Sequence, residues 1–128
     1  MPKTSIQQCI LIDALPSKVW KVLTHQEYTS QFFFDDDFVF EWTEGGSILL
    51  KEEQRGRIEE IIPGVLLKFS LQQGSQTFIY SYNISPDVNG VELNMNCNGL
   101  SCNEEEYFLR LQQLQLILQK IKWLAEYS

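Results

Sequence analysis

The chain contains 128 residues, of which 44% are hydrophobic and 21% are charged, a composition typical of one globular domain over residues 1–128. Its ten lysines and arginines against seventeen acidic residues give a formal net charge of −7. Because this charge repels phosphate backbones and anionic lipid surfaces, we expect neither a nucleic-acid partner nor a membrane partner.

The N-terminal part of the chain begins with a predicted strand and continues with two short helices. The strand covers residues 5–12, and no apolar stretch of signal-peptide length precedes it, which predicts a cytoplasmic protein. A helix is predicted for residues 15–23, because Pro16 suits a first helical turn. A second helix is predicted near residues 27–33, before the acidic stretch 35–37 interrupts regular structure.

The middle of the chain is divided into short segments by turn-forming residues. These residues occur at positions 44–46, 54–56, 63–64, 73–74 and 89–90. Such spacing predicts consecutive short strands, and no helical pattern separates them. We therefore expect an antiparallel meander, and not a parallel sheet built from strand-helix-strand units.

Several of these segments alternate apolar with polar residues, as half-buried strands do. The alternation predicts that the sheet has one apolar face. The residues assigned to that face are Phe38, Phe40, Trp42, Phe78, Tyr80, Tyr82, Ile84, Val91, Leu93, Met95 and Cys97.

A long C-terminal helix is predicted for residues 103–127. Asn103 is the expected N-cap and Glu106 its capping-box partner, and three glutamates lie at the positive end of the helix dipole. Apolar residues recur at steps of three and four along one side of this helix. They are Tyr107, Leu111, Leu114, Leu118, Ile121 and Ala125.

A further apolar set widens this stripe along the helix. It consists of Phe108, Leu109, Leu116, Ile117, Trp123 and Leu124. So broad an apolar face predicts a helix that a curved sheet grips. An isolated coiled coil is the alternative, but the seam is shorter than most and the rest of the chain offers a sheet to pack against.

Four segments carry a resemblance to a known family. The longest is the run ILIDALPSKVWKVLT at residues 10–24, with its Val-Trp pair. The others are WTEGGS at 42–47, GRIEEI at 56–61, and Pro-Gly at 63–64 followed by LKFS at 67–70. With them the chain resembles, over nearly its whole length, the SRPBCC or START-like superfamily. Within it, the chain is similar to bacterial relatives of the activators of the 90-kDa heat-shock protein ATPase.

This resemblance implies an α+β helix-grip fold, in which six or seven antiparallel strands wrap around the C-terminal helix and two short helices close one end. It also implies a space between sheet and helix that holds apolar or aromatic small molecules. Some members of the superfamily use this space as a cyclase or lyase site. A chaperone or another protein is the alternative partner that the resemblance suggests.

We expect the ligand pocket where aromatic residues converge on the apolar face of the sheet. The residues predicted to line it are Trp42, Phe69, Tyr80, Tyr82 and Met95 on the sheet, with Leu114 and Leu118 on the helix. Ordinary core packing is the competing explanation, since large aromatics commonly fill cores. Tyr80 and Tyr82 are the most informative residues, because a buried phenol needs a hydrogen-bond partner that a ligand can supply.

Catalytic and metal-binding patterns are weaker. His25 is the residue to which a general-base mechanism would turn, but a histidine in a surface loop explains it better. The acidic residues at 35–37, with Glu41 and Glu44, lack the spacing and the glycine of an EF-hand. The sequence therefore predicts no catalytic residue, no metal and no cofactor.

The cysteines and one pair of glutamates also have simple explanations. Cys9, Cys97 and Cys102 are odd in number and have no C-x-x-C spacing, so reduced thiols are expected. Cys97 is expected to act as a small hydrophobe, without a cationic neighbour. Glu59 and Glu60 are adjacent in a predicted strand, so we expect them on opposite faces and not as a carboxylate dyad.

Three functions are compatible with this sequence. The leading hypothesis is a binding or carrier domain that encloses an apolar or aromatic small molecule between the sheet and the C-terminal helix. The second is an enzyme of the cyclase or dehydratase type, with Tyr80, Tyr82 or His25 transferring protons in the same cavity. The third is a chaperone-activator-like interaction module that works through an outer surface.

Overall fold

The computed structural model of the chain describes residues 3–32, 39–41, 43–49, 55–73, 76–102 and 104–128. The strands are β1 (Lys3–Ile12), β2 (Val39–Phe40), β3 (Ser47–Leu49), β4 (Arg55–Ile62), β5 (Leu66–Gln73), β6 (Gln76–Asp87) and β7 (Gly90–Cys102). The helices are α1 (Pro16–Thr24), α2 (Gln26–Phe32) and α3 (Glu104–Tyr127). This element order and the antiparallel sheet confirm the predicted α+β helix-grip fold.

All seven strands belong to one sheet in the order β1-β7-β6-β5-β4-β3-β2. Every neighbouring pair is antiparallel, as the meander prediction required. β1 does not follow the sequential order, because it pairs with β7. Among the described strands, none pairs with the other edge of β1. The predicted strand around Trp42 is described only as β2, and Phe38 and Trp42 lie outside the described residues.

The two short helices follow β1 as predicted. Pro16 occupies the first turn of α1, where a missing N–H leaves no hydrogen bond unmade. Val19, Val22 and Leu23 of α1 are buried in the core. Lys18 Nζ donates to the Tyr28 hydroxyl at 3.2 Å, which joins α1 to α2.

One side of α3 packs on the inner face of the sheet. Its buried residues are Leu114, Leu118, Ile121, Leu124 and Ala125. The predicted phase of the helix is therefore confirmed, whereas its predicted N-cap, Asn103, lies outside the described residues. Among the helices that the structure describes, none has the length and apolarity that a bilayer crossing requires.

The prediction of a wider apolar stripe on α3 was wrong for four residues. Phe108, Leu109, Leu116 and Trp123 are each more than half exposed. The described strands of the sheet contact one side of the helix, and these four residues on the other side are exposed to solvent. Leu109, Leu116 and Trp123 recur every seven residues there, and we call them the outer line of α3.

The C-terminal half of α3 lies beside the free edge of β1. Lys122 Nζ donates to the Leu11 carbonyl at 2.8 Å. Asp13 N donates to Glu126 Oε2 at 2.9 Å, and Lys122 also forms an ion pair with that carboxylate. These contacts satisfy backbone groups that an unpaired edge strand would leave exposed. We call them the α3–β1 clamp.

A bulge in β4 changes the faces on which its glutamates lie. The pairing register between β4 and β5 shifts between Ile58 and Glu60. Glu59 accepts a hydrogen bond from the Ser70 hydroxyl at 2.9 Å, and Glu60 is exposed opposite Lys68. Ser70 and Lys68 lie on either side of buried Phe69 in β5, so both point to the outer face of the sheet. Glu59 and Glu60, which face them, therefore both lie on the outer face as well. The prediction of opposite faces was therefore wrong, since a bulge adds a residue that breaks the alternation.

Candidate functional site

The aromatic residues predicted to line a pocket form a stacked cluster on the inner face of the sheet. Phe69 and Tyr80 are cross-strand partners whose ring centroids lie 5.3 Å apart at an interplanar angle of 17°. Phe69 and Tyr82 stack at 6.3 Å and 26°. All three side chains are buried. Stacked rings of this kind offer a flat apolar wall.

Three of the remaining predicted residues are buried near this cluster, and the fourth is not described. Met95, the cross-strand partner of Tyr82, is fully buried on the same face. Leu114 and Leu118 are buried on the side of α3 that faces the sheet. Trp42 lies outside the described residues, so its place relative to this cluster stays a prediction.

Tyr80 has a polar partner within the protein. Its hydroxyl lies next to the thiol of Cys97, its cross-strand partner on β7, and each group affects the pKa of the other. Burial raises the pKa of Tyr80 well above its usual range, and Cys97 raises it further. Burial also raises the pKa of Cys97, so its sulfur stays a thiol. The positive charge of Arg110 lowers the pKa of Cys97 and so opposes the effect of burial. The sequence did not reveal that Arg110 is a cationic neighbour of Cys97.

Tyr82 lies on the same face of β6 as Tyr80 and is also buried. No hydrogen bond joins its hydroxyl to another of the described residues, although this oxygen does not count among the fully buried atoms without a partner. Burial raises the pKa of Tyr82 above its usual range, and the neighbouring Tyr80 and Cys97 add to the shift. At neutral pH the hydroxyl is therefore protonated, and it can both donate and accept a hydrogen bond.

A polar residue that the sequence analysis did not single out also lies on this inner face. Gln8 on β1 is the cross-strand partner of Met95. Its Nε2 donates to the Leu111 carbonyl of α3 at 3.4 Å, and its Oε1 is buried without a partner among the described residues. The interruption of the alternating row Ile6, Ile10 and Ile12 by a glutamine was the signal that could have identified it.

Gln8 borders an open groove between β1 and α3. The groove has a volume of about 390 Å³. It is lined by Gln8, Cys9, Ile10, Gln115, Leu118 and Gln119. Leu118 is also one of the predicted pocket residues, so the groove lies at the margin of the space between sheet and helix. We call it the amide groove.

The other candidate residues lie apart from the inner face. His25 is exposed between α1 and α2, with Nδ1 4.0 Å from Glu27 Oε1. The acidic stretch at 35–37 lies outside the described residues. Within the described ranges, no group of three or more histidine, cysteine or acidic side chains could hold a metal ion.

The sequence matches the model of a known protein family. Residues 13–126 match the family model described as Activator of Hsp90 ATPase homolog 1-like protein. No curated protein matches the chain in sequence.

Solved structures share the fold at low sequence identity. A protein from Mesorhizobium loti is 14% identical, with a TM-score of 0.82 over 94% of this chain and 95% of that one. The Aha1 dimer from Colwellia psychrerythraea is 13% identical, with a TM-score of 0.80 over 98% of each chain. DynU16, a protein of the dynemicin biosynthetic locus, is 12% identical, with a TM-score of 0.82 over 94% of this chain and 46% of that one.

Proposed function

Because the chain belongs to the family of Activator of Hsp90 ATPase homolog 1-like proteins, we propose that it binds or carries an apolar or aromatic small molecule between the sheet and α3. The observation that carries this proposal is the stacked cluster of Phe69, Tyr80 and Tyr82, in which no described residue is recorded as a hydrogen-bond partner of the Tyr82 hydroxyl. A ligand with one polar group supplies that partner.

The residues around Tyr82 suit such a ligand. Phe69 and Tyr80 provide the stacked wall, and Met95 provides a flexible thioether that adapts to an aromatic shape. One structural relative, DynU16, comes from a biosynthetic locus, which supports a small organic ligand. We propose that residues 1–128 act as one domain in the cytoplasm, where Cys9 and Cys97 remain free thiols.

The protonation of the tyrosines favours binding over catalysis. A general base must lose its proton near the working pH, whereas burial raises the pKa of Tyr80 and of Tyr82. His25, the other proton-transfer candidate, is exposed between two helices. The described polar groups therefore suit hydrogen bonding to a bound molecule.

The carrier proposal is tested by thermal unfolding with a neutral naphthalene derivative. A ligand at a hundred times its dissociation constant stabilises the fold by about 2.7 kcal/mol, so the melting temperature should rise by several degrees. Met95→Trp should fill the space and abolish the rise. Ser81→Trp is the matched control, because Ser81 lies between Tyr80 and Tyr82 on the outer face and should leave the rise intact.

Two results would contradict the proposal. A wild-type protein whose melting temperature does not respond to any neutral aromatic probe would exclude a pocket for this class of ligand. A rise that persists in folded Met95→Trp would place the binding site away from Tyr82. Native mass spectrometry of freshly purified protein provides an independent measurement, because a retained ligand adds its mass to that of the chain.

The outer line of α3 favours a second candidate function, an interaction module that pairs with a second copy of this chain. Leu109, Leu116 and Trp123 are exposed at the seven-residue spacing on which paired helices depend. The related structure from Colwellia psychrerythraea is that of the Aha1 dimer, which supports this choice of partner.

Sedimentation velocity tests this second candidate. The wild-type chain should sediment as a dimer, and Leu116→Glu should convert it to a monomer of unchanged circular dichroism. Gln115→Glu, an adjacent exposed position, is the control that should remain dimeric. A wild-type chain that is monomeric at all concentrations would exclude the pairing, even if the outer line binds a chaperone.

A further inference from the structure

Two polar side chains flank Met95 on the inner face of the sheet. Gln8 and Tyr82 are both cross-strand partners of Met95, one on each neighbouring strand. We propose that Gln8 and Tyr82 bind opposite polar ends of the ligand, so that the site selects an aromatic molecule with a hydrogen-bond donor directed toward β1. This inference rests on the proposed carrier function and assigns its ligand specificity.

The orientation of the Gln8 amide is fixed by its surroundings. Its Nε2 donates to the Leu111 carbonyl at 3.4 Å, and a flipped amide would place two acceptor oxygens against each other. The Oε1 atom must therefore lie on the opposite side of the amide, where it is buried without a partner among the described residues. A buried acceptor in this state favours any ligand that brings it a proton donor.

The register of the sheet places both groups within reach of one molecule. Neighbouring strands lie about 4.8 Å apart, so the backbones of β1 and β6 at Gln8 and Tyr82 are about 10 Å apart, with Met95 between them. Directly paired residues point to the same face of a sheet. A planar ring over Met95 therefore has one edge toward Gln8 and the other toward Tyr82.

The chemistry of the two groups differs, which gives the ligand a direction. The amide oxygen of Gln8 can only accept, so the ligand end near the amide groove must donate, as a phenol, an amine or an amide N–H does. The protonated hydroxyl of Tyr82 can donate or accept, so it tolerates either group. A carboxylate or phosphate at the groove end would face the oxygen of Gln8, and the net charge of −7 also opposes it.

A pair of probes that differ by one donor tests this inference. Naphthol carries a hydroxyl, and its methyl ether has the same ring system without the donor. The wild-type protein should bind naphthol about tenfold more tightly than the ether, the factor that one buried hydrogen bond typically provides. Gln8→Met, which keeps the length of the side chain, should remove this preference by weakening naphthol binding alone.

The control variant lies on the same strand. Gln7→Met changes an exposed residue on the outer face of β1 and should keep the tenfold preference. Gln8→Leu serves as a second core variant if Gln8→Met does not fold. A preference that survives in folded Gln8→Met or Gln8→Leu, or equal binding of both probes to the wild type, would overturn the role of Gln8 and leave the carrier function intact. Binding of neither probe would overturn both proposals.

Discussion

At Gly90 the absence of a side chain permits close contact between the beginning of β7 and the end of β1. A Cβ added there would lie 2.2 Å from the Ile12 carbonyl oxygen. The φ angle of Gly90 is +144°, a conformation that other residues rarely adopt. Gly64 also has a positive φ, +78°, but a Cβ at that position has nothing within 4 Å.

We expect Gly90→Ala to destabilise the protein more than Gly64→Ala does. Gly64→Ala should lower the free energy of unfolding by about 1–2 kcal/mol, the cost of a side chain at positive φ. Gly90→Ala adds a collision with backbone that cannot move without breaking the β1–β7 pairing. It should therefore lower the free energy of unfolding by more than roughly 3 kcal/mol. Urea unfolding of both variants provides the comparison. Equal losses would show that the contact with Ile12 is unimportant.

Glu126 makes the stability of the α3–β1 clamp depend on pH. The ion pair with Lys122 and the hydrogen bond from the Asp13 amide lower the pKa of Glu126 below its ordinary value of 4.5. Unfolding removes both partners and restores that value. The clamp therefore stabilises the fold fully above the ordinary pKa, and this contribution is lost as the pH falls through the lowered pKa.

Glu126→Gln should consequently cost stability at neutral pH but not in acid. The expected loss at pH 7 is roughly 1 kcal/mol or less, since the pair is near the surface. The difference from the wild type should shrink toward zero below the ordinary pKa of 4.5. Urea unfolding of Glu126→Gln and the wild type from pH 7 to below 4.5 measures this difference in stability. Glu44→Gln, in an exposed turn, is the control. A difference that does not change with pH would contradict the assignment.

Individual residues mark the limit of what alternation in a sequence can predict. The apolar rows of β6 and β7 were predicted correctly because a regular strand repeats every two residues, and Tyr80, Tyr82 and Met95 obey that repeat. Glu59 and Glu60 do not obey this repeat, because the bulge at this point depends on how β4 pairs with β5. Gln8 was not predicted, because its missing partner depends on where α3 lies.

The α3 helix presents apolar residues on two sides, but only one side contributes to the core. Leu114 is buried against the sheet, whereas Leu116 belongs to the exposed outer line. Leu114→Asp should therefore prevent folding or lower the free energy of unfolding by more than about 3 kcal/mol, because it buries an unpaired charge. Gln115→Asp should change it by less than about 0.5 kcal/mol, and Leu116→Asp should cost much less than Leu114→Asp because Leu116 is outside the core.

Circular dichroism during urea unfolding distinguishes these variants. If Leu116→Asp were as damaging as Leu114→Asp, the outer line would have to be covered by protein. The sequence predicted the buried side of α3 through its steps of three and four. It did not separate the outer line from that side, because both consist of large apolar residues and only the position of the sheet distinguishes them.

For the molecule as a whole, we expect folding to be independent of metal ions. The core consists of apolar residues from the sheet, α1 and α3, and a chain of this length buries enough surface to fold on that basis. The melting temperature should therefore change by less than about 1 °C when EDTA is added to freshly purified protein. A fall of many degrees, reversed by a divalent cation, would reveal a structural metal.

The α3–β1 clamp also determines when a newly made chain can finish folding. A ribosome releases β1 first, yet the strand that pairs with it is β7, and the contacts at Leu11 and Asp13 come from Lys122 and Glu126. At about 5–20 residues per second, the first strand waits several seconds for these partners. Translation must therefore have passed β7 before β1 can join the sheet, and a transcript that stops before α3 should yield a chain that is degraded.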